Sequence, residues 1–206
     1  VRHSGRDLVS VHGLMESLLQ HNDLSDAGWL TCDLGMTYGH DTDFMNTVFR
    51  RNLVHDNRAD GCAMGIYFDH CSHNAILQEN VVYNVGDDPL RFNNPSYFNL
   101  VLDNRTYNAG KMWTFDHSHR NDLFGMQVVG NRLCHEPDLP AHVRLHDNVI
   151  ADDPEAQPCD PPAWKVGYDF ENPPSPIWEP ADVDGMNMIH NACFELETLE
   201  SWGVRG

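Results

Sequence analysis

Gly65-Ile-Tyr-Phe-Asp-His70, followed closely by Asn74-Ala-Ile-Leu-Gln-Glu-Asn80-Val-Val-Tyr-Asn84-Val85, decides the fold. Ile66 and Phe68 alternate with Tyr67 and Asp69, the period-two signature of a strand with one buried face. Leu77, Asn80 and Val82 then set a unit that recurs along the chain. It returns as Leu19…Asn22…Leu24, Phe49…Asn52…Val54, Val101…Asn104…Thr106, Val128…Asn131…Leu133 and Leu145…Asn148…Ile150. The residue three before Asn is apolar in every copy; the residue two after is apolar in all but one, where it is Thr106.

The Asn-to-Asn spacings are 30, 28, 24, 27 and 17. Unequal spacing excludes a strict helical array and suits a coil whose loops vary while its strands stay in register. Each coil also carries an upstream strand, read as Val9-Ser-Val-His12, Leu30-Thr-Cys-Asp33, Ile66-Tyr-Phe-Asp69, Leu90-Arg-Phe-Asn93 and Trp113-Thr-Phe-Asp116. Alternation expects Val9/Val11, Leu30/Cys32, Ile66/Phe68, Leu90/Phe92 and Trp113/Phe115 inside. Asn side chains stacked at successive bends can donate to and accept from the next coil, which satisfies buried turn backbone. The Asn104-Arg-Thr106 glycosylation sequon falls on this ladder and is read as structural.

The quoted stretch and its repeats resemble the right-handed parallel β-helix (pectate-lyase-like) family of polysaccharide lyases, glycoside hydrolases and epimerases. The resemblance covers about residues 5–150 and implies an all-β, right-handed parallel β-helix of about six coils over residues 1–150. It says little about reaction type, since one fold hosts several chemistries.

Eight of the twelve prolines lie between Pro154 and Pro180, with Trp164, Tyr168, Phe170 and Trp178 among them. Residues 151–185 are therefore expected as a Pro/aromatic-rich tail on the helix flank, because disordered linkers seldom carry aromatics. Residues 186–206 include Asn191-Ala-Cys-Phe194-Glu195…Leu199…Trp202-Gly203, similar to the opening strand of jelly-roll carbohydrate-binding modules. That likeness implies a carbohydrate-directed parent protein. The chain begins at Val1 without an initiator methionine, and is read as processed or as part of something longer.

The 206 residues carry 13 Lys+Arg against 31 Asp+Glu, a net charge of −18, which argues against nucleic acid or an anionic membrane as partner. No apolar run is long enough to span a bilayer. Six cysteines permit fifteen full pairings; none forms a C-x-x-C pair. Cys62 with Cys71 and Cys134 with Cys159 are the plausible bridges if the protein is secreted, and Cys32 reads as a buried strand thiol.

The outward positions of the upstream strands form two columns: Ser10, Thr31, Tyr67, Arg91, Thr114, and His12, Asp33, Asp69, Asn93, Asp116, with His70 and His117 just beyond. Stacked aspartates repel at the ~4.8 Å spacing of neighbouring strands, so the arrangement calls for a proton, a cation or a substrate. Glycoside hydrolysis uses two carboxyl groups about 5–5.5 Å apart for retention or about 6.5–9.5 Å for inversion. Asp69 is placed at the centre with Asp33 or Asp116 as partner and His40 acting from the loop Gly39–Asp43. His12, Tyr67, His70, Arg91, Asn93 and His117 would bind sugar. Repulsion would raise one carboxyl, as a general acid requires.

The expectation is a secreted enzyme that hydrolyses a polysaccharide or oligosaccharide. It requires no cofactor and has no assigned metal ligand, although Ca²⁺ has a place. His70/His73 and His117/His119 could ligate a metal, but thirteen histidines make such coincidences common and none is assigned as a ligand. The alternatives are a polysaccharide lyase using Ca²⁺-assisted β-elimination, or a non-catalytic carbohydrate-binding β-helix. Only two lysines, Lys111 and Lys165, are present, which weighs against the lyase. Sugar, linkage and oligomeric state are not set by the sequence.

Overall fold

A computed structural model of the chain describes residues 1–59, 63–93, 95–110, 113–114, 125–137, 139 and 143–150. Four full coils of three strands each wind through it. The first holds β1 (Val9–Val11), β2 (Leu18–Gln20) and β3 (Asp23–Ser25). The second holds β4 (Leu34–Gly39), β5 (Asp43–Arg50) and β6 (Leu53–His55). The third holds β7 (Ala63–Phe68), β8 (His73–Gln78) and β9 (Val81–Tyr83), and the fourth β10 (Leu90–Phe92), β11 (Leu100–Leu102) and β12 (Arg105–Tyr107). Shorter rungs follow: β13 (Trp113–Thr114), β14 (Gln127–Val129) and β15 (Arg132–Leu133), then β16 (Arg144–His146) and β17 (Val149–Ile150). The six expected coils thus resolve into four full ones and two abbreviated ones.

Every pairing is parallel, and the strands stack into three sheets: β1-β4-β7-β10-β13, β2-β5-β8-β11-β14-β16 and β3-β6-β9-β12-β15-β17. The described residues are all-β, a parallel β-helix. Parallel strands need a crossover; here the crossover is the rest of the coil.

The six repeat asparagines form one continuous ladder. Nδ2 of Asn22, Asn52, Asn80, Asn104 and Asn131 each donates to Oδ1 of the next Asn, at 2.9–3.0 Å. That same Oδ1 accepts the preceding coil's Asn backbone N–H, at 2.8–3.1 Å. The second Nδ2 hydrogen of Asn52, Asn80 and Asn104 caps the carbonyls of Leu19, Phe49 and Leu77. Asn80 and Asn104 are fully buried, so the sequon asparagine is committed to the ladder.

The residue before each ladder Asn turns the corner in the left-handed region: His21, Arg51, Glu79, Asp103, Gly130 and Asp147, with φ between 53° and 69°. A single left-handed residue costs about 1–2 kcal/mol when it has a Cβ. The ladder hydrogen bonds offset that cost in a corner with no loop. Thr106, the one departure from the apolar pattern, is buried and its Oγ1 accepts the Cys134 N–H at 3.1 Å.

Inside the coil, Phe44, Phe49, Phe68 and Phe92 pack ring to ring with centroids 4.6–5.8 Å apart. Such aromatic pairs add about 0.5–1.5 kcal/mol to their area burial. At Gly39 a Cβ would lie 2.5 Å from the Phe44 ring, so the missing side chain makes room for this stack.

The expected strand Leu30–Asp33 is not a strand. Leu30 is 89% exposed, Cys32 is an exposed free thiol, and the strand of that coil is Leu34–Gly39. Both segments alternate plausibly, but Leu34 and Met36 join the core while Thr37 and Gly39 take the inward slots opposite Ile66 and Phe68. At the far end Trp113 pairs with Arg91 and Thr114 with Phe92, one residue off the expected register. Leu145 and Ile150, on the last rung, are 44% and 40% exposed.

Cys71 is disulfide-bonded, whereas Cys134 is a buried free thiol beside Thr106. Cys62, Cys159, Asp116, His117, His119 and the tail, residues 151–206, lie outside the described residues. Among the described residues no helix is long and apolar enough to cross a membrane.

Candidate functional site

The outer face of the first sheet is built by strand alternation. The register aligns Ser10 with Tyr38, Tyr38 with Tyr67, and Tyr67 with Arg91. One pair further along, the same alternation gives a second column, His12, His40, Asp69 and Asn93. Backbone bonds from the Asp69 N–H to the Gly39 carbonyl and from the Asn93 N–H to the Phe68 carbonyl hold it together. The structure therefore brings Tyr67, Asp69, Arg91, Asn93, His12 and His40 to one face. Asp33 is not in the column: it stands exposed just ahead of β4, and His40 occupies the slot beside Asp69 that Asp33 was expected to fill.

Asp69 is the hub. Its Oδ2 accepts the Tyr38 hydroxyl at 2.8 Å, and its Oδ1 accepts Asn93 Nδ2 at 2.7 Å and the His70 N–H at 2.8 Å. Tyr67 hydrogen-bonds the same carboxyl, and Asn93 Nδ2 lies 3.4 Å from the Tyr67 oxygen. Burial alone would raise the Asp69 carboxyl, but the hydrogen bonds from Asn93, His70, Tyr38 and Tyr67 outweigh it and hold the group below its ordinary value. The two phenols move the other way. Burial pushes both up, and the hydrogen bond and negative charge of Asp69 add to it, so they stay protonated.

Each tyrosine carries a guanidinium over its ring. Arg6 lies 5.0 Å from the Tyr38 centroid and Arg91 lies 5.5 Å from that of Tyr67, in the range of a cation–π contact. The two rings meet edge to face with centroids 5.4 Å apart. Arg6 Nε donates to the Asp33 carbonyl oxygen at 3.0 Å, which ties the segment before β4 to the first coil. Arg91 Nη1 lies 3.3 Å from Asp88 Oδ2 and 3.7 Å from Asp87 Oδ2. Asp88 is 2% exposed, and burial, then the charge of Asp87, push its carboxyl up to about 7 against the pull of Arg91. Burial likewise raises Asp7, beside Arg6 and Gly35, so the raised carboxyls near this face are Asp88 and Asp7 and not Asp69.

His40 and His70 lie at the rim of the face with near-parallel rings, centroids 6.4 Å apart, and His12 Nδ1 is 3.1 Å from the His40 carbonyl oxygen. His73 does not join them. It is 3% exposed, with Nε2 3.6 Å from Asp43 Oδ2 and Nδ1 3.0 Å from the Cys71 carbonyl. Burial would raise the Asp43 carboxyl, but His73, Asn74 and the Met45 N–H bring it down to about 2. This cluster is a polar bracket at the turn into β5 and β8. Among the described residues no group of three or more His, Cys, Asp or Glu side chains is placed to hold a metal ion.

Tyr38, Arg6 and Asp88 were not singled out from the sequence. Tyr38 was within reach: Ser10, Tyr38, Tyr67 and Arg91 step by 28, 29 and 24 residues, close to the Asn spacings of 30, 28 and 24 over the same coils. Asp88 sits in Gly86-Asp-Asp-Pro89, which reads as an exposed turn. Nothing local marks Arg6. No protein-family model matches the chain, and comparison with curated proteins and with solved structures returns no match.

Proposed function

We propose that the protein is a secreted polysaccharide-degrading enzyme of the pectate-lyase-like β-helix kind, a glycoside hydrolase with Asp69 as its working carboxylate. The observation that carries this reading is the state of Asp69: an anion kept by four donors on an otherwise aromatic and basic-flanked surface. Such a carboxylate is a poor proton donor. It suits the nucleophile or base of a glycosidase and the stabilisation of an oxocarbenium-like transition state. The acid partner is assigned to Asp116, since His40 takes the slot beside Asp69 that Asp33 was expected to fill. Tyr67, Arg91, Asn93, His12, His70 and His117 are assigned to sugar hydroxyls, with His40 beside the reaction centre.

Secretion is supported by the disulfide at Cys71, since such bonds persist in oxidising compartments. The likeness of residues 191–206 to a carbohydrate-binding module points to the same substrate class. For the lyase alternative, Arg91 is already engaged with Asp87, Asp88 and Tyr67, which weakens it as the cation that would neutralise a uronate. Ca²⁺ would have to supply that charge.

The test is digestion of a polysaccharide panel, scoring new reducing ends against ultraviolet-absorbing unsaturated ends, for the natural protein and Asp69→Asn. New reducing ends without unsaturation, lost in the variant, support the hydrolase. Unsaturated ends abolished by a chelator establish the lyase instead. Saccharide binding with no product leaves a non-catalytic β-helix.

A further inference from the structure

We propose that Tyr38 is a positioning residue for Asp69: its phenol clamps one carboxylate oxygen across two coils, so that Asp69 is oriented and stays charged while it works. This rests on the reading of Asp69 as the working carboxylate, and goes beyond it by assigning a role to a residue that would act on the reaction only through Asp69.

The geometry is specific. Tyr38 and Tyr67 are register partners on adjacent strands, yet Tyr38 reaches Asp69, two places beyond its partner, at 2.8 Å. Oδ1 is already served by Asn93 and the His70 N–H, so Oδ2 depends on the phenols. Tyr38 is 8% exposed, its ring fixed by Arg6 on one side and packed against Met64 and Tyr67. A phenol with so little freedom fixes the carboxylate's rotation as well as its charge. The charged or titratable groups around Asp69 and its phenols include Tyr38 from β4, Tyr67 from β7, His40 and His70 from the two turns, Arg91 from β10, Arg6 over Tyr38 and Asp33, whose charge reaches Tyr67. Of these, Tyr38 is the one whose hydrogen bond ends on Oδ2 at a resolved short distance.

The Tyr38→Phe variant keeps the ring with its stacking on Arg6 and Tyr67, and removes the hydroxyl that donates to Asp69 and also meets Arg6. The experiment follows the Asp69 carboxyl by ¹³C NMR titration in the natural full chain and in Tyr38→Phe, with Asp69→Asn used to assign the signal. The expected result is an upward shift of the Asp69 midpoint by about one pH unit, the size of one hydrogen bond to a charged group. Where a substrate is in hand, the acid limb of kcat/KM moves up by the same amount.

A second probe preserves the fold should Phe not be tolerated. Placing 3,5-difluorotyrosine at position 38 makes the phenol a stronger donor, and the midpoint should fall. Tyr83→Phe, on the third sheet, is the control and should leave it unmoved. An unmoved midpoint in both position-38 proteins overturns the proposal, even if their thermal stability drops. The titration needs no substrate, so failure to find an activity sinks the hydrolase reading without deciding this one.

Discussion

The Tyr38 hydroxyl donates a 2.8 Å hydrogen bond to Asp69 Oδ2, joining the second coil to the third through a phenol and a carboxylate. The bond has a consequence for stability that depends on pH. Asp69 is depressed in the folded protein, so its contribution is present above the unfolded carboxylate range and lost as pH falls through the folded value. Tyr38→Phe should therefore cost about 1–2 kcal/mol at pH 7 and distinctly less at a pH below the folded Asp69 midpoint. Denaturant melts at the two pH values measure the difference; an equal loss at both would show that the ring, not the hydroxyl, was responsible.

Asp88 should behave in the opposite sense. Its folded value is raised to about 7, so its favourable contribution is complete below about pH 4 and disappears as pH climbs towards 7. Asp88→Asn does not titrate. The variant should match the natural protein at pH 4 and exceed it by about 2 kcal/mol at pH 8. Thermal transitions across that range decide the point, and a variant less stable at pH 8 would show that the Arg91 ion pair dominates instead.

The asparagine ladder makes a sharper demand. Asn80→Ala removes the acceptor of both the Asn52 N–H and Asn52 Nδ2, and leaves the Phe49 carbonyl without its donor. Each buried unsatisfied group costs about 1–3 kcal/mol, so a loss of ~3 kcal/mol or more is expected. Asn80→Asp should be worse at pH 7 than at pH 4, because a buried carboxylate would face Asn104 Oδ1 with no hydrogen to offer. Expression in a glycosylating host should leave Asn104 unmodified, which intact mass reads directly.

Gly65 has no space for a methyl group. A Cβ there would lie 2.3 Å from Val82 Cγ1 and 2.5 Å from the Pro89 carbonyl oxygen, which is backbone and cannot swing aside. Gly65→Ala should cost about 2–4 kcal/mol in chemical denaturation. Gly13, whose Cβ would meet nothing within 4 Å, has φ +67° and should lose less.

The coil was legible because three signals coincide in each repeat: an apolar residue, an Asn three places later, and an apolar residue two beyond. Each reflects a physical need that recurs at every corner, so six copies reinforce one another. The left-handed corner residues were not legible by type. Arg51 and Glu79 have no preference for positive φ, and adopt it because the following Asn is held on both sides. The strand of the second coil was misread for a similar reason. Leu30-Thr-Cys-Asp33 alternates well, whereas Leu34-Gly-Met-Thr-Tyr-Gly39 carries two glycines that weaken a strand by propensity. Those glycines are required by neighbours far away in sequence: Tyr67 lies where a Gly35 Cβ would point, and Phe44 where that of Gly39 would.

The sequence by itself determined the parallel β-helix, the Asn ladder and the outward placement of Asp69, because these depend on alternation and repetition within the chain. Only the tertiary structure decided what surrounds Asp69. It put His40 where Asp33 was expected, aimed Tyr38 at Oδ2, buried Asp88 under Arg91 and left Cys134 a free thiol. The first two are relations between successive coils, fixed by the register of one strand against the next, whereas Asp88 and Arg91 meet three residues apart. A one-coil sequence pattern does not contain that register. Packing of inward side chains sets it, and the outward face follows.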